Sequence, residues 1–380
     1  MNKPKIRFKG FEGEWKDSML SDFSYSICSG RDTAHKGIYP LYGSTGIIGT
    51  TNKPSYNGAM LLVARVGANA GKLQIINEEC GVSDNTLIIK PNGNISVSWL
   101  YYYLVHCNLN HLVYGSGQPL ITGYMLKRIP ILLGSKKECD EIASYFTALD
   151  AQIAASTSRL SSLKQIKAAS LLNMFPQKGE TVPRVRFKGF QGEWKKVKIG
   201  DVAPLTGGFA FQSGQFKTSG VPIIRISNIL SSGIVGGDFV YYNEFKGDSE
   251  FRLYKGDVVI AMSGATTGKV ATFEANDFGY QNQRVGKFSR TNLVNYELLS
   301  KLVSAPNFQK KIISKLTSSA QPNASSKDID SIDLVVPEET EEQRAIASYF
   351  TALDAQITLH RERLEKLKQI KAACLEKMFA

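Results

Sequence analysis

The feature that most constrains this chain is an internal repeat. The segment PKIRFKGFEGEW at 4–15 returns as PRVRFKGFQGEW at 183–194, with nine of twelve positions identical. A second segment, IASYFTALDAQI, occupies 142–153 and recurs unchanged at 346–357, and 24 of the 34 aligned positions that begin there are identical. Self-similarity at a fixed offset indicates duplicated structural units. The sequence therefore predicts two copies of one unit, each with a basic opening, a variable body and a long ending.

The repeat also suggests where domains begin and end. A chain of 380 residues has the length of two ordinary domains. The predicted segments are 1–134 (first body, with its opening at 4–16), 135–178 (first ending), 179–336 (second body, with its opening at 183–198) and 337–380 (second ending).

Both endings have the pattern of long helices. Apolar residues recur at alternating steps of four and three, with no Gly or Pro inside either run, as in a coiled-coil seam. A capping pair precedes each run: Ser135 with Glu138, and Thr340 with Gln343. At 1.5 Å per residue each helix would be roughly 50 to 60 Å long. Because neither helix can bury its stripe alone, we expect the two to pack against each other.

The bodies have the pattern of β-rich domains. Short β-branched runs bounded by Gly and Asn predict strands, and a helix is predicted near 98–106. The bodies are also distant copies, since LLVARVGANAGKL at 61–73 aligns with VVIAMSGATTGKV at 258–270, and the same offset places Asn85 on Asn282. GATTGK lacks the spacing of a phosphate-binding P-loop, so we interpret it as a tight turn between strands.

Composition favours a globular protein that binds polyanions. Apolar residues make up 43% of the chain and the formal net charge is +12, which favours nucleic acid or an anionic surface as a partner. No window of eighteen apolar residues occurs, so a soluble cytoplasmic protein without membrane contact is expected. The five scattered cysteines and four histidines do not have the spacing of a metal site, and none is expected.

Catalytic signatures are lacking as well. The sequence contains neither a GxSxG elbow nor the Pro-Pro and Pro-Asp pairs of common methyltransferase and nuclease motifs. The aromatic residues of the two basic openings are open to two interpretations, contact with DNA or anchorage of a body on the helices. We favour anchorage, because these residues recur while the bodies vary.

Taken together, the duplicated FKGF-x-GEW openings and the duplicated IASYFTALDAQI…LKQIKAA…MF endings closely resemble the specificity subunit of type I restriction-modification systems. The resemblance covers essentially the whole chain. It implies an α+β fold with two mixed, β-rich target recognition domains, separated by two long antiparallel coiled-coil-like helices with pseudo-twofold internal symmetry. It also implies that each domain reads one half of a bipartite, asymmetric site in double-stranded DNA, and that the helices set the spacer.

The same resemblance implies a non-catalytic subunit. Its partners would be two methyltransferase subunits docked on the helices, together with restriction/translocase subunits. S-adenosylmethionine, ATP and Mg would be used by those partners, with no cofactor in this chain.

Within each body, phosphate contacts are expected from Lys and Arg, and base readout from Arg, Asn, Gln, Ser and Thr on loops. The alternative for each such residue is ordinary turn chemistry. The strongest candidates form the run 281–284. The predicted DNA-binding residues are Tyr42, Ser44, Thr45, Lys53, Arg65, Asn69, Lys72, Asn85 and Gln118 in the first body, and Phe211, Gln212, Arg225, Asn228, Thr266, Thr267, Lys269, Gln281, Asn282, Gln283, Arg284 and Gln321 in the second.

Two other classes of function stay open at this stage. One is an enzyme that carries its own nuclease or methyltransferase centre. The other is a stand-alone, sequence-specific DNA-binding regulator with a coiled-coil interface, which would bind tightly without partners.

Overall fold

The computed structural model describes residues 3–112, 119–316 and 323–379. The chain divides into two compact units, one formed by residues 1–159 and 360–380 and the other by residues 160–359. Each unit therefore combines one body with part of both helical endings. The endings, which the sequence analysis treated as separate segments, are each divided between the units.

The first unit is built on β-strands covered by helices. Its strands are β1 (Lys16–Met19), β2 (Ser24–Ser29), β3 (Tyr39–Gly43), β4 (Gly46–Thr51), β5 (Ala59–Ala64), β6 (Leu73–Asn77), β7 (Gly81–Val82), β8 (Thr86–Pro91) and β9 (Pro130–Leu133). Its helices are α1 (Val97–Cys107), α2 (Gly123–Lys127) and the first part of α3 (Lys136–Asn173). The strands form one sheet in the order β2-β8-β5-β6, a second in the order β4-β3-β7, and the pair β1-β9.

The second unit has the same kind of architecture. Its strands are β10 (Lys195–Lys198), β11 (Leu205–Thr206), β12 (Val221–Ile224), β13 (Val240–Tyr242), β14 (Arg252–Leu253), β15 (Val258–Ala261), β16 (Val270–Thr272), β17 (Gly279–Gln281), β18 (Val285–Phe288) and β19 (Asp333–Val336). Its helices are α4 (Ile199–Val202), α5 (Tyr296–Ser304), α6 (Pro306–Leu316), α7 (Ser326–Asp330) and the first part of α8 (Thr340–Lys377). The sheets have the orders β11-β18-β15-β16 and β13-β12-β17-β14, with β10-β19 as a separate pair. Both units thus mix helices with sheets, as an α+β fold requires.

The two long helices confirm the prediction made from the heptad stripe. Helix α3 runs from Lys136 to Asn173 and α8 from Thr340 to Lys377. In the first unit, the Phe146 ring stacks on Phe379 with centroids 5.8 Å apart. In the second, Phe175 stacks on Phe350 at 5.7 Å. Stripe residues are buried because they fill the space between helix and body, and Phe146 and Phe350 are fully inaccessible to solvent.

Ion pairs show the direction of the helices within each unit. Asp150 binds Lys371 at 2.5 Å in the first unit. Lys167 binds Asp354 at 2.6 Å in the second. In each unit the sequence numbers of contacting residues run in opposite directions, since Tyr145 meets Cys374 before Asp150 meets Lys371. The two helical segments of a unit are therefore antiparallel to one another.

Only one of the two capping pairs is correct. The amide of Glu138 donates to Ser135 Oγ at 3.3 Å, so Ser135 caps α3. Thr340 lies inside α8, and the amide of Gln343 donates to the carbonyl of Glu339 at 3.1 Å. The Gln343 side chain instead donates to the carbonyl of Pro337. The prediction for Thr340 and Gln343 is wrong by one residue. The alignment of the two repeats matches Ser135 with Glu339, and not with Thr340.

The basic openings anchor the helices, as favoured from the sequence. In the first unit, Arg7 Nε and Nη2 donate to the two carboxylate oxygens of Glu138 at 2.5 and 2.8 Å. In the second, Arg186 makes the same two-pronged contact with Glu342 at 2.7 and 2.8 Å. Aromatic edges follow, with Phe8 against Tyr145 and Phe187 against Tyr349. These arginine and phenylalanine side chains hold each opening against a helix. They are therefore not free to contact DNA.

The bodies repeat one another with a small shift in register. The turn between β5 and β6 matches the one between β15 and β16, since Gly67 and Gly264 have φ angles of 75° and 74°. These segments are tight turns between strands, as predicted. Ladder pairing, however, places Ala64 opposite Thr86 and Ala261 opposite Val285. The second body has two more residues between β15 and β18 than the first body has between β5 and β8. Asn85 therefore corresponds to Arg284, and its predicted match with Asn282 is wrong.

Candidate nucleic-acid interface

Three connections of the first unit emerge at the same edge of its sheets. Strands β3 and β7 are parallel, with Tyr42 opposite Val82. The amide of Arg65, which follows β5, donates to the carbonyl of Asn85 in the turn that follows β7. The hairpin tip and both turns therefore lie together. We name them the first loop edge, which consists of residues 43–46, 65–72 and 83–85.

The second unit places the corresponding connections together in the same way. Strands β12 and β17 are parallel, with Ile224 opposite Gln281. The amide of Met262, which follows β15, donates to the carbonyl of Arg284 at 2.9 Å. We name these connections the second loop edge, which consists of residues 225–228, 262–269 and 282–284.

Two glycines hold the turns at these edges. A Cβ on Gly30 would lie 2.1 Å from the carbonyl oxygen of Val82, and a Cβ on Gly208 would lie 2.3 Å from that of Gln281. Such distances are shorter than any non-bonded contact, so only glycine lets the neighbouring chain pass this close. Sequence reasoning missed both positions. The available signal was a glycine directly after a strand-like run in both bodies.

Most of the residues predicted in the first body lie at the first loop edge. Thr45, Lys72 and Asn85 are exposed there. The half-buried members of this group are Ser44, Arg65 and Asn69. Lys53 is exposed but follows β4 at the opposite end of the hairpin, where Tyr39 pairs with Thr51, so it lies apart from the others. Gln118 lies outside the described residues.

The second body has a similar distribution. Gln283 and Arg284 are exposed at the second loop edge. The half-buried predicted residues there are Arg225, Thr266, Thr267, Lys269 and Asn282. Gln212 is exposed on the segment that follows Phe209, a residue that pairs with Asn282. Gln321 lies outside the described residues.

Four predicted contacts are corrected because their side chains are buried. Tyr42 is 5% exposed, and both burial and its hydrogen bond to Glu78 raise the pKa of its hydroxyl to about 12. Phe211 packs against Tyr280 with ring centroids 5.4 Å apart. Asn228 is 1% exposed and Gln281 is fully buried. All four belong to the interior of their bodies.

The buried amides have structural partners that explain their positions. Asn228 donates to the carbonyls of Gly236 and Asp238, both at 3.0 Å. Gln281 donates to the carbonyls of Thr206 and Val285, both at 2.8 Å. Gln281 ends a strand while 282–284 form the turn, so the run singled out from the sequence is split between core and surface. All three residues of this central strand are buried, so the Gln281 side chain lies in the core.

Both loop edges carry more basic than acidic side chains. The first contains Arg65 and Lys72 with one carboxylate, Asp84. The second contains only basic ionisable residues, namely Arg225, Lys269 and Arg284. Among the described residues none of these five cations forms an ion pair. Cations without carboxylate partners are suited to contact with phosphate or base acceptors.

Within the described ranges, no three His, Cys, Asp or Glu side chains are grouped so that they could hold a metal ion. In the same ranges, no helix has both the length and the apolar character needed to span a lipid bilayer.

Comparisons with known proteins show which proteins this chain resembles in sequence and in fold. Over 390 aligned residues, 22% are identical to the type I restriction enzyme MjaVIII specificity subunit of Methanocaldococcus jannaschii, covering 94% of this chain and 90% of that protein. The identity is 28% over 179 residues with the EcoBI specificity subunit of Escherichia coli, covering 47% of this chain and 36% of that protein. The crystal structure of the type I restriction-modification S subunit from M. genitalium has a similar fold, with a TM-score of 0.70 at 15% identity, and covers 100% of this chain and 99% of that one.

The family model for the type I restriction modification DNA specificity domain matches residues 12–165 and again residues 191–369. Each match contains one loop edge and the start of one long helix. Because the two matches together cover most of the sequence, the chain belongs to the type I restriction modification DNA specificity domain family.

Proposed function

We propose that this chain is the DNA-recognition subunit of a type I restriction-modification complex, and that each body reads one half of a bipartite, asymmetric site in double-stranded DNA. The observation that carries the proposal is the pair of basic loop edges, built on the same strand order but with different side chains. The position of Arg65 in the first edge is taken by Met262 in the second. Two readers with a shared frame and unlike surfaces are suited to two unlike half-sites.

The long helices would set the spacing between the half-sites and dock two methyltransferase subunits. This part of the proposal is supported by the antiparallel contacts within each unit. The stacking of Phe146 on Phe379 in one unit has its counterpart in that of Phe350 on Phe175 in the other. Matched contacts of this kind are what pairing of two coiled-coil-like helices with pseudo-twofold symmetry would give.

The chain would contribute recognition and leave the chemistry to its partners. In this proposal the methyltransferase subunits use S-adenosylmethionine, and restriction/translocase subunits use ATP and Mg. The cytoplasmic location expected from the sequence stays a prediction. The rival function, a stand-alone regulator, differs in one measurable respect, since it would bind a specific DNA site tightly without a methyltransferase.

The experiment that tests the proposal is methylation-sensitive long-read sequencing of DNA modified by the chain and its cognate methyltransferase. We expect a motif of two different half-sites separated by unread base pairs. Replacing residues 22–134 with another recognition body should change one half-site and leave the other intact. A change in both half-sites, or specific binding by the isolated chain with no stable methyltransferase complex, would contradict the proposal.

A further inference from the structure

Unsatisfied polar atoms are concentrated at the two loop edges. Nine buried side-chain nitrogen and oxygen atoms in the described part of the chain have no hydrogen-bond partner, and six of them belong to residues in these edges or next to them. The six atoms are Arg65 Nε, Ser83 Oγ and Thr86 Oγ1 in the first unit, and Arg225 Nε, Thr266 Oγ1 and Gln281 Oε1 in the second. Buried polar groups in folded proteins are nearly always paired, so each unpaired one needs an explanation, and the fully buried Gln281 cannot find its partner in DNA.

Each cluster contains one arginine, and the two arginines are alike in their surroundings. Arg65 and Arg225 are both half-buried, and each has its Nε buried without an acceptor. No other arginine in residues 3–112, 119–316 and 323–379 has this property. A buried guanidinium nitrogen without an acceptor is costly, and the cost is removed when a ligand supplies one.

The backbone around Arg65 is fixed by the first loop edge. Its amide donates to the carbonyl of Asn85 at 2.9 Å, and its carbonyl accepts from Ile121 at 2.8 Å. Its Nη1 lies 3.4 Å from the carbonyl oxygen of Asp84. The guanidinium is therefore held beside the turn at 83–85, where Ser83 also has an unpaired hydroxyl.

The backbone around Arg225 is fixed by a different device. Its amide donates to Oδ1 of the buried Asn228 at 3.0 Å, and its carbonyl accepts from the Asn228 amide at 2.8 Å. The short turn that follows Arg225 packs against the turn at 264–266. That turn carries the unpaired Thr266 hydroxyl.

These surroundings favour a base edge over a phosphate as the missing acceptor. Phosphate contacts are well served by exposed cations, and Lys72 and Arg284 provide them at the two edges. An arginine guanidinium is a planar fork of donors, and this fork matches the O6 and N7 acceptors of guanine in the major groove.

We infer that Arg65 and Arg225 are specificity-determining residues, each reading a guanine in the half-site of its own body. The inference rests on the proposed function and names the chemistry of its recognition step. The two arginines are not equivalent in the repeat, since Arg65 follows β5 whereas Arg225 follows β12. The guanine should therefore stand at a different place in each half-site, which gives the site its asymmetry.

The test begins with the motif that the wild-type complex methylates. A panel of duplexes then carries each of the four base pairs at each position of both half-sites. Competition binding is measured for the full complex containing the wild-type chain, Arg65→Gln or Arg225→Gln. The two variants are matched controls for one another, because each leaves the other body intact. Arg225→Lys keeps the positive charge but lacks the two-pronged guanidinium, so it separates the effect of charge from that of hydrogen-bond geometry. Thermal melting checks that every variant is folded.

We expect Arg225→Gln to lose discrimination at one guanine position of a single half-site, by roughly 5- to 150-fold, with the other half-site unaffected. Arg225→Lys should lose it at the same position. Arg65→Gln should do the same in the opposite half-site. Unchanged discrimination at every position, or a uniform loss of affinity at all positions as for a phosphate contact, would overturn the inference. Absence of a bipartite motif for the wild-type complex would instead refute the proposed function.

Discussion

At the scale of single residues, the two basic openings share a buried ion pair but differ in one hydrogen bond. Glu138 and Glu342 are buried carboxylates, each held by the arginine of a basic opening. The indole of Trp15 also donates to Glu138 Oε2 at 3.1 Å. The indole nitrogen of Trp194, its counterpart, is buried without a partner. The first opening therefore has one hydrogen bond that the second lacks.

Replacing each tryptophan with phenylalanine isolates that bond. Both substitutions remove the same ring volume, but only Trp15→Phe removes a hydrogen bond to a charged acceptor, whereas Trp194→Phe removes an unpaired donor. We expect Trp15→Phe to destabilise its unit by about 1 to 2 kcal/mol more than Trp194→Phe destabilises the other. Hydrogen exchange of peptides from each unit measures the two effects separately. Equal losses of protection would argue against a role for the bond.

At the scale of elements, charged pairs link the long helices within each unit. Asp354 accepts from Lys167 at 2.6 Å on α3 and from Lys301 at 2.8 Å on α5. Burial opposes ionisation of this carboxyl, yet the two lysines outweigh it and hold its pKa below the ordinary value. A lowered pKa means that the carboxylate stabilises the folded state above the ordinary pKa, and that this contribution is lost as pH falls through the folded value.

The pH dependence of one substitution tests this pairing. Asp354→Asn should lower the free energy of unfolding by about 1 to 2 kcal/mol near pH 6, after allowance for partial exposure of the pair. The difference from the parent should shrink as pH falls below the ordinary carboxyl pKa, and it should vanish once the parent carboxyl is itself protonated at its lowered folded pKa. Urea unfolding followed by helical circular dichroism gives both values. A difference that persists in acid would assign the loss to packing rather than to charge.

At the scale of the whole molecule, a duplicated frame supports two unlike surfaces. The frame consists of the openings, the long helices and the matching sheets β2-β8-β5-β6 and β11-β18-β15-β16, and the arginine–glutamate contact of the openings recurs in both copies. The surfaces are the two loop edges, where Arg65 and Arg225 follow strands that are not equivalent in the repeat. In the proposed function, recognition and spacing would thus belong to different parts of the chain.

If the helices set the spacing, their length should determine it. Inserting seven residues into both α3 and α8 preserves the seam and adds about 10 Å, so we expect the unread gap to grow by about three base pairs. Sequencing of methylated DNA reports the gap directly. The matched control inserts seven residues into α3 alone, which should break the pairing and abolish methylation. An unchanged gap after the double insertion would exclude the helices as the spacer.

Periodicity predicted the elements well because it records which face of each element is buried. The heptad stripe located α3 and α8, and the apolar runs located β5, β8, β12 and β15. Periodicity did not predict whether a side chain in a turn, or next to one, is buried or exposed. Gln281 is buried because it ends a central strand, while Gln283, two residues later, is exposed. The shift that aligns Asn85 with Arg284 depends on ladder pairing, which no local pattern records.

The close passage at Gly30 and Gly208 has a consequence for anyone who wishes to give this scaffold new targets. At each position there is room for a hydrogen atom and nothing larger. A grafted body with alanine at either position would push the neighbouring turn away from its native place. A replacement body must therefore first keep enough space between these backbone segments, and only then can its side chains be chosen for base recognition.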